Sequence, residues 1–321
     1  MLIHHLASIT LAFLIDRIIG DPPSWPHPVR WMGAFITSLD HHLNKGVRQK
    51  AKGVLLLVVI VATVFSVTCL IVWGAYHMHV LAGIAAESVI IATTIAQNDL
   101  KKAAMSVYQP LKEGDMTTAR KRVSMIVGRD TQTLNESGIT RATVETVAEN
   151  ISDGITAPLF WALIGGAPLA MVYRAVNTCD SMVGYNNERY SQFGWASARF
   201  DDVVNWIPSR ITGVCMIAVY PSPFLTKSQG IHALKAEAAK HPSPNSGWGE
   251  AAVALLLGIQ LGGANYYQGV KSERAVMGRG QRSLQQAHIP AAITIMERAV
   301  SIFLILLWIG GGCYAITRTW F

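Results

Sequence analysis

The chain has 321 residues, of which 51% are hydrophobic and 15% charged, with a mean hydropathy of +0.31 and a net charge of +7. Soluble domains carry about 25% charged residues, so this balance excludes an ordinary soluble protein and points to a membrane protein of several passes. No basic run or aromatic-interleaved patch supports a nucleic-acid binder. The positive charge has two readings, basic loops on the cytoplasmic side or arginines kept for anionic ligands. Cys69, Cys179, Cys215 and Cys313 are scattered, which is neither a disulfide framework nor a zinc pattern.

Residues 6–19 predict an apolar helix ending in Asp16 and Arg17, retained in the protein because no small-residue cleavage site follows. The next stretch, GDPPSWPHPVRWMG (20–33), has four prolines and reads as a stiff, extended loop. It either sets Trp25 and Trp31 at headgroup depth or presents His27 and Arg30 to a ligand. Val54–Trp73 is twenty residues without a charge, the clearest membrane span. Residues 80–97 form a second apolar stretch containing only Glu87. If both cross, the basic loops 17–52 and 98–154 share one side, which is then the cytosol.

Residues 98–140 are polar and helical in pattern, with Gly128, Arg129 and Asp130 in a turn. A helix over 141–153 places Arg141, Glu145, Glu149 and Asp153 on one slowly drifting stripe, with Val144, Val147, Ala148 and Ile151 opposite. Residues 155–176 are long enough to span, but Gly165-Gly166-Ala167-Pro168 interrupts them, which predicts a broken or re-entrant segment. Asn177, Asp180 and Ser181 follow, then Asp201, Asp202 and Asn205 at i, i+1, i+4, which can converge on one cation. HPSPNSGWGE (241–250) is a second proline-stiffened loop, LGGAN (261–265) a small-residue break, and 271–298 a basic loop before a last span at 299–316.

The expected fold is therefore all-α: a polytopic integral membrane helical bundle with broken or re-entrant segments. It forms a single domain over 1–321 with a cytosolic helical insertion at about 98–154. Three acidic or amide clusters among several arginines suit a nucleotide or diphosphate site fed by magnesium. There is no GxxxxGK[ST] loop, GxGxxG fingerprint, HExxH or GxSxG. An alternative, that the 141–153 stripe is an ordinary solvated helix face with an Arg141–Glu145 pair, stays open for that helix taken alone.

Five stretches carry a resemblance. RATVETVAENISDGITAPLFW (141–161), GGAP with YRAVNTCDSMVGY (165–185), ARFDDVVNWIPSR (198–210), GDPPSWPHPVRWMG, and SPNSGWGEAAVALLLGIQLGG (243–263) resemble the CobD/CbiB family of adenosylcobinamide-phosphate synthases. The likeness runs in order from about Asp16 to about Asn265. It implies a multi-pass cell-membrane ligase with its site facing the cytosol. Such an enzyme joins adenosylcobyric acid to (R)-1-amino-2-propanol O-phosphate, or to aminopropanol, giving adenosylcobinamide phosphate. The implied cofactors are ATP and Mg2+; the implied partners are the corrinoid, the aminopropanol phosphate, the bilayer and other late cobalamin-pathway enzymes.

That chemistry needs an activated carboxylate, phosphate stabilisation and a base for the incoming ammonium. The expected metal and phosphate carriers are Glu145, Glu149, Asp153, Asp201 and Asp202, with Glu149 also a catalytic candidate. Asn150, Asn177 and Asn205 are expected to orient oxygens. Arg129, Arg141, Arg174, Arg199 and Arg210 are expected to neutralise phosphates. Asp180 or His27 is the expected base, and Trp25, Trp161, Trp195 and Trp248 the expected lining for a corrin. Two alternatives remain: a membrane transferase of prenyl or phospho-alcohol type using a diphosphate substrate, and a non-catalytic membrane sensor sharing the fold.

Overall fold

The computed structural model describes residues 2–22, 24–280 and 282–320, with side chains up to residue 314. Among the described residues, four helical stretches are long and apolar enough to cross a membrane: Gln49–Met78, Val80–Lys112, Glu136–Val183 and His288–Tyr314. The protein is thus a helical, multi-pass membrane protein. It divides into two compact units.

The first unit holds the chain up to Ala96, Asp153–Asn205 and the stretch from Leu304 onward. Its N-terminal helix α1 covers Leu2–Ile18, somewhat earlier than the expected 6–19. The proline loop leads into α2 (Pro28–Leu43), where Pro28 supplies the helical φ and His27 Nδ1 accepts the Val29 N–H at 3.3 Å. Next, α3 (Gln49–Met78) runs thirty residues, about 45 Å at 1.5 Å per residue. Val58, Phe65, Leu70 and Ile71 stay exposed along it, a surface suited to lipid. Helix α4 (Val80–Ala92) follows a His79 cap. The core of this unit packs Met32, Ile36, Leu56 and Ile60 against Tyr173, Val176, Cys179 and Phe193.

The expected break in 155–176 is present. A π-helical turn at Ser152–Thr156 leads into α8 (Ala157–Val183), and inside it Gly165 and Gly166 leave helical geometry, Gly166 at φ 63°. The freed Ala167 N–H donates to Glu87 Oε1 at 3.1 Å. Glu87 is fully buried, and its Oε2 also accepts from Tyr76 at 2.9 Å and Ser8 at 3.2 Å, with His5 Nδ1 2.9 Å from Oε1. An irregular backbone at membrane depth needs such internal partners. A Cβ at Gly166 would collide with Glu87 Oε1, so only glycine allows this approach. After α8 comes the short helix α9 (Trp195–Val204).

The second unit holds Gln97–Ser152 and Trp206–Phe303. The segment expected as an insertion therefore clusters with the later part of the chain. Its helices are α5 (Gln97–Lys112), α6 (Met116–Val123), α7 (Glu136–Ile151), α10 (Trp206–Val219), α11 (Lys227–Ala238) and α12 (Ser246–Leu257). Asn135 caps α7 by accepting the Gly138 N–H at 2.9 Å, so the helix begins five residues before Arg141. Its apolar face is buried as expected: Val144, Val147, Ala148 and Ile151 are all inaccessible.

The basic loop expected at 271–298 is kept only between 278 and 287; strand and helix take the rest. Strand β1 (Leu261–Tyr267) pairs antiparallel with β2 (Val270–Met277), and helix α13 (His288–Trp320) begins eleven residues ahead of the expected span at 299. The hairpin turns at Gln268 and Gly269, both at positive φ (51° and 79°), the geometry that matches the twist of paired strands. A two-residue turn between Tyr266-Tyr267 and Val270 is the signal that the charged residues obscured.

Candidate functional site

In the second unit, the α7 stripe faces the hairpin. Glu145 is buried; its Oε2 meets Arg129 Nη2 at 2.5 Å and its Oε1 accepts the Gly262 N–H at 2.7 Å. Arg141 lies 4.0 Å from Glu145, so Arg129 is the closer partner. The Arg141 guanidinium is held instead by the Gly262 and Ala264 carbonyls at 2.5 and 2.7 Å. The two arginines meet at Asn265 Oδ1, which accepts from Arg129 at 2.7 Å and Arg141 at 3.0 Å. Gly262 and Gly263 both have positive φ (89° and 80°), and a side chain at Gly263 would press on Arg141. This bulge near the start of β1 needs glycine for both its backbone and its closeness to the guanidinium.

Asp130 ties the preceding turn to the hairpin, accepting the Gln268 and Gly269 N–H groups at 3.1 and 2.7 Å. Together these parts wall an open cavity of about 540 Å³ that includes Arg129, Asn135, Arg141, Gly262 and Asn265. Fixed cations, a glycine bulge and the first turn of a helix suit an anionic ligand. The sequence-predicted Arg129 and Arg141 are brought together here. Glu145 stands beside them as the group that clamps Arg129.

Other predicted residues of this unit lie in a second cluster. Ser246 donates to Glu149 Oε1 at 3.0 Å. Asn150 donates to its own helix, to Thr146 O at 2.9 Å. Arg210 is stacked between Trp206 and Trp248, 4.2 and 5.1 Å from their ring centres, and donates to Trp206 O at 2.6 Å and Asn245 at 3.3 Å. His241 and Glu250, which the sequence did not single out as site residues, lie buried with Nε2 and Oε1 3.4 Å apart. Burial pushes the Glu250 carboxyl up, and the Glu145 and Glu149 charges add to this against the opposing effect of His241. Burial would lower His241, but Glu250 and the Ser243 carbonyl outweigh it and raise it. Their signal was their position at the two ends of the proline-stiffened loop.

The first unit holds a carboxylate and amide cluster. Asp201 is buried and accepts from Asn205 Nδ2 at 3.0 Å and Asn177 Nδ2 at 3.4 Å. Tyr173 orients Asn205 by donating to its Oδ1 at 2.7 Å, and reaches the Asp153 carbonyl at 3.2 Å. Burial, and then the Asp180 charge, push the Asp201 carboxyl up to about 7. Asp202 is less enclosed; burial raises it and Arg199, 3.8 Å away, pulls it back. Asn177, Asp201 and Asn205, expected in two separate clusters, meet within this unit, with Asp180 as a charged neighbour.

His27 spends Nδ1 on capping α2, and its Nε2 lies 3.2 Å from Asp21. Arg174 has Asp21 and Asp153 as its charged neighbours. Trp161 donates to the Val204 carbonyl at 3.1 Å, a brace on α9. Trp25 and Trp195 are exposed, the latter with the Lys50 ammonium 5.4 Å from its ring. Trp248 is occupied by Arg210. Among the described residues, no three His, Cys, Asp or Glu side chains are grouped to hold a metal ion.

These features define a multi-pass helical membrane protein with a basic, glycine-lined pocket in one unit and a poised carboxylate in the other. The CobD/CbiB protein family profile matches residues 9–296, so the chain belongs to the CobD/CbiB family. It is 52% identical to the cobalamin biosynthesis protein CobD of Halalkalibacterium halodurans over 99% of this chain and 100% of that protein. It is 43% identical to CobD of Pelobacter propionicus over 90% of each chain, and 42% identical to the cobalamin biosynthesis protein CbiB of Salmonella arizonae over 95% of this chain and 96% of that one. No solved structure matches the chain.

Proposed function

We propose that this protein is an ATP-dependent ligase of cobalamin biosynthesis. It joins the carboxylate of adenosylcobyric acid to the amine of (R)-1-amino-2-propanol O-phosphate, or of aminopropanol. Family membership supports the pathway and a corrinoid substrate. The observation that carries the nucleotide reading is the Arg129–Arg141 pocket, where two guanidinium groups are fixed beside a glycine bulge in a cavity of about 540 Å³.

A carboxylate does not condense with an amine unaided. In this reading the corrinoid carboxylate takes the terminal phosphoryl group of ATP, releasing ADP and leaving an acyl phosphate. The amine then attacks the acyl carbon and phosphate departs. Arg129 and Arg141 steady the phosphoryl charge. The amine arrives as ammonium and must lose a proton, and a base titrating near the working pH does this best. Asp201, paired with Asp180 and gripped by Asn177 and Asn205, supplies that property. His27 is set aside because its ring already caps α2 and faces Asp21.

Magnesium would arrive with the nucleotide. The protein offers no three-ligand cage among its described residues, and magnesium commonly binds through one or two carboxylates plus substrate phosphates. Glu149 in the second unit and, separately, Asp153 and Asp202 in the first are the candidate carboxylates for it, and it would neutralise phosphate charge. Arg210, Arg199, Arg174 and Asn150 are committed to contacts with their own neighbours and receive no direct role.

The test is nucleotide turnover by the purified protein with adenosylcobyric acid, with and without aminopropanol phosphate. ADP and corrinamide formed in equal amounts, only when both substrates are present, are expected. Pyrophosphate release, or turnover indifferent to the corrinoid, would overturn the reading in favour of a diphosphate-using transferase.

A further inference from the structure

Asn265 sits at the one point where both pocket arginines converge. Its Oδ1 accepts from Arg129 and from Arg141. Two cations on one amide oxygen fix which end is oxygen, so the Nδ2 end is committed to the other direction. That Nδ2 group is buried and has no hydrogen-bond partner, in a residue only 3% exposed that lines the 540 Å³ cavity. The Arg141 Nε–H makes no hydrogen bond but faces Glu145 Oε1, 4.0 Å away. A buried amide N–H left unmatched is costly, and native proteins leave few of them, so the Asn265 Nδ2 group in a cavity wall points to a missing acceptor.

The charges around them are unbalanced. Glu145 neutralises Arg129 at 2.5 Å, whereas Arg141 is met by carbonyl oxygens and lies 4.0 Å from Glu145. Asp130 turns its carboxylate to the hairpin N–H groups. The cavity therefore presents a net positive wall with one unmet donor, the Asn265 Nδ2 group. We propose that Asn265 is a ligand-binding residue, and that its Nδ2 group receives a phosphoryl group beside the Arg141 charge. Glu145 and the Gly262–Gly263 bulge act behind them as positioning elements. This rests on the phosphate reading of the same pocket and extends it to a residue outside the three acidic clusters.

Two sources could supply the group, the nucleotide or the phosphorylated amino alcohol, and the experiment separates them. The full-length protein in detergent is titrated calorimetrically with ATP, with (R)-1-amino-2-propanol O-phosphate and with inorganic phosphate, without corrinoid. The deciding variant is Asn265→Asp. It keeps an oxygen for both arginines, so the fold is retained, but it replaces the donor with an acceptor of negative charge. The affinity for the ligand that occupies the site should fall by about tenfold or more, with an unchanged melting temperature. Asn265→Leu removes both functions and should lower binding and melting temperature together.

The ligand that loses affinity in Asn265→Asp identifies the source. Unchanged affinity for all three ligands in a folded Asn265→Asp protein overturns the proposal, as does absence of binding to the unsubstituted protein. If binding is lost in the variant while the unsubstituted protein forms no corrinoid-dependent ADP, the site stands and the ligase reading falls. Corrinoid-dependent ADP formation with unchanged binding in the variant keeps the ligase reading and removes Asn265 from the site.

Discussion

Glu145 and Asp201 are both buried carboxylates, yet their surroundings prepare them for opposite tasks. Glu145 has a cation on one oxygen and a backbone N–H on the other. Asp201 has an amide on each oxygen and a like charge, Asp180, as its strongest electrostatic neighbour. A carboxylate paired with arginine is held as a fixed anion and works as architecture. A carboxylate held by neutral donors near another acid keeps its proton close to neutral pH and can exchange it. Spacing on a helix did not separate these cases; partners from distant parts of the chain did.

The largest expected effect sharpens the Asp201 side. Asp201→Asn keeps the shape and an oxygen for Asn205, turns its own N–H toward Asn177, and cannot accept a proton. Ligation should fall by roughly 10²–10⁴-fold, the usual contribution of a general base, with the folded state intact by circular dichroism. A loss under threefold would remove Asp201 from the chemistry.

Next is Glu145→Ala, which strands Arg129 in a nearly inaccessible position, its side chain 8% exposed. Breaking a buried pair by removing one partner costs about 3–5 kcal/mol. The melting temperature should drop, and the 261–277 hairpin should become the first site of proteolysis. An unchanged melt would mean that the pair is architecturally idle.

The same contrast sets a pH dependence. The folded Asp201 carboxyl titrates at about 7, above its ordinary value of 3.8, so the folded state holds a proton that the unfolded chain releases. Between these values the native protein binds more protons, and stability falls as pH rises. The loss begins near pH 4, ends near pH 7 and is flat above; its size is at most a few kcal/mol. Asp201→Asn should flatten that slope and melt higher than the unsubstituted protein at pH 8. A variant that keeps the full slope would assign it to another group.

Much of this was legible in the sequence. Uncharged runs marked the spans, because a helix in lipid cannot hide charge. Gly165-Gly166-Pro168 marked the break in α8, because no other residue takes φ 63° so readily. Asp201 and Asn205 could be grouped from their i, i+4 spacing, and they do meet, whereas Asn177 joins them from 24 positions earlier. Asn265 could not, since its importance comes from Arg129 and Arg141, 136 and 124 positions earlier in the chain. The hairpin was hidden by Lys271, Glu273 and Arg274, charged residues that read as loop; here Lys271 and Glu273 line the exposed strand face and Arg274 the opposite, half-buried one.

The smallest effect separates stability from activity at Asp202. Its partner Arg199 is 70% exposed and 3.8 Å away at i,i+3 on α9. A solvent-screened pair of this kind contributes about 0.5 kcal/mol or less. Arg199→Ala should therefore leave both melting temperature and ligation close to those of the unsubstituted protein. Asp202→Asn should also leave the melt unchanged, but if its carboxylate meets magnesium brought by the nucleotide, the magnesium concentration needed for half-maximal turnover should rise. Equal magnesium dependence in the two variants would class Asp202 with Arg199 as surface charge. A rise in Asp202→Asn alone would mark a third kind of carboxylate in this protein, one that neither clamps an arginine nor carries a proton but waits for a cation delivered with substrate.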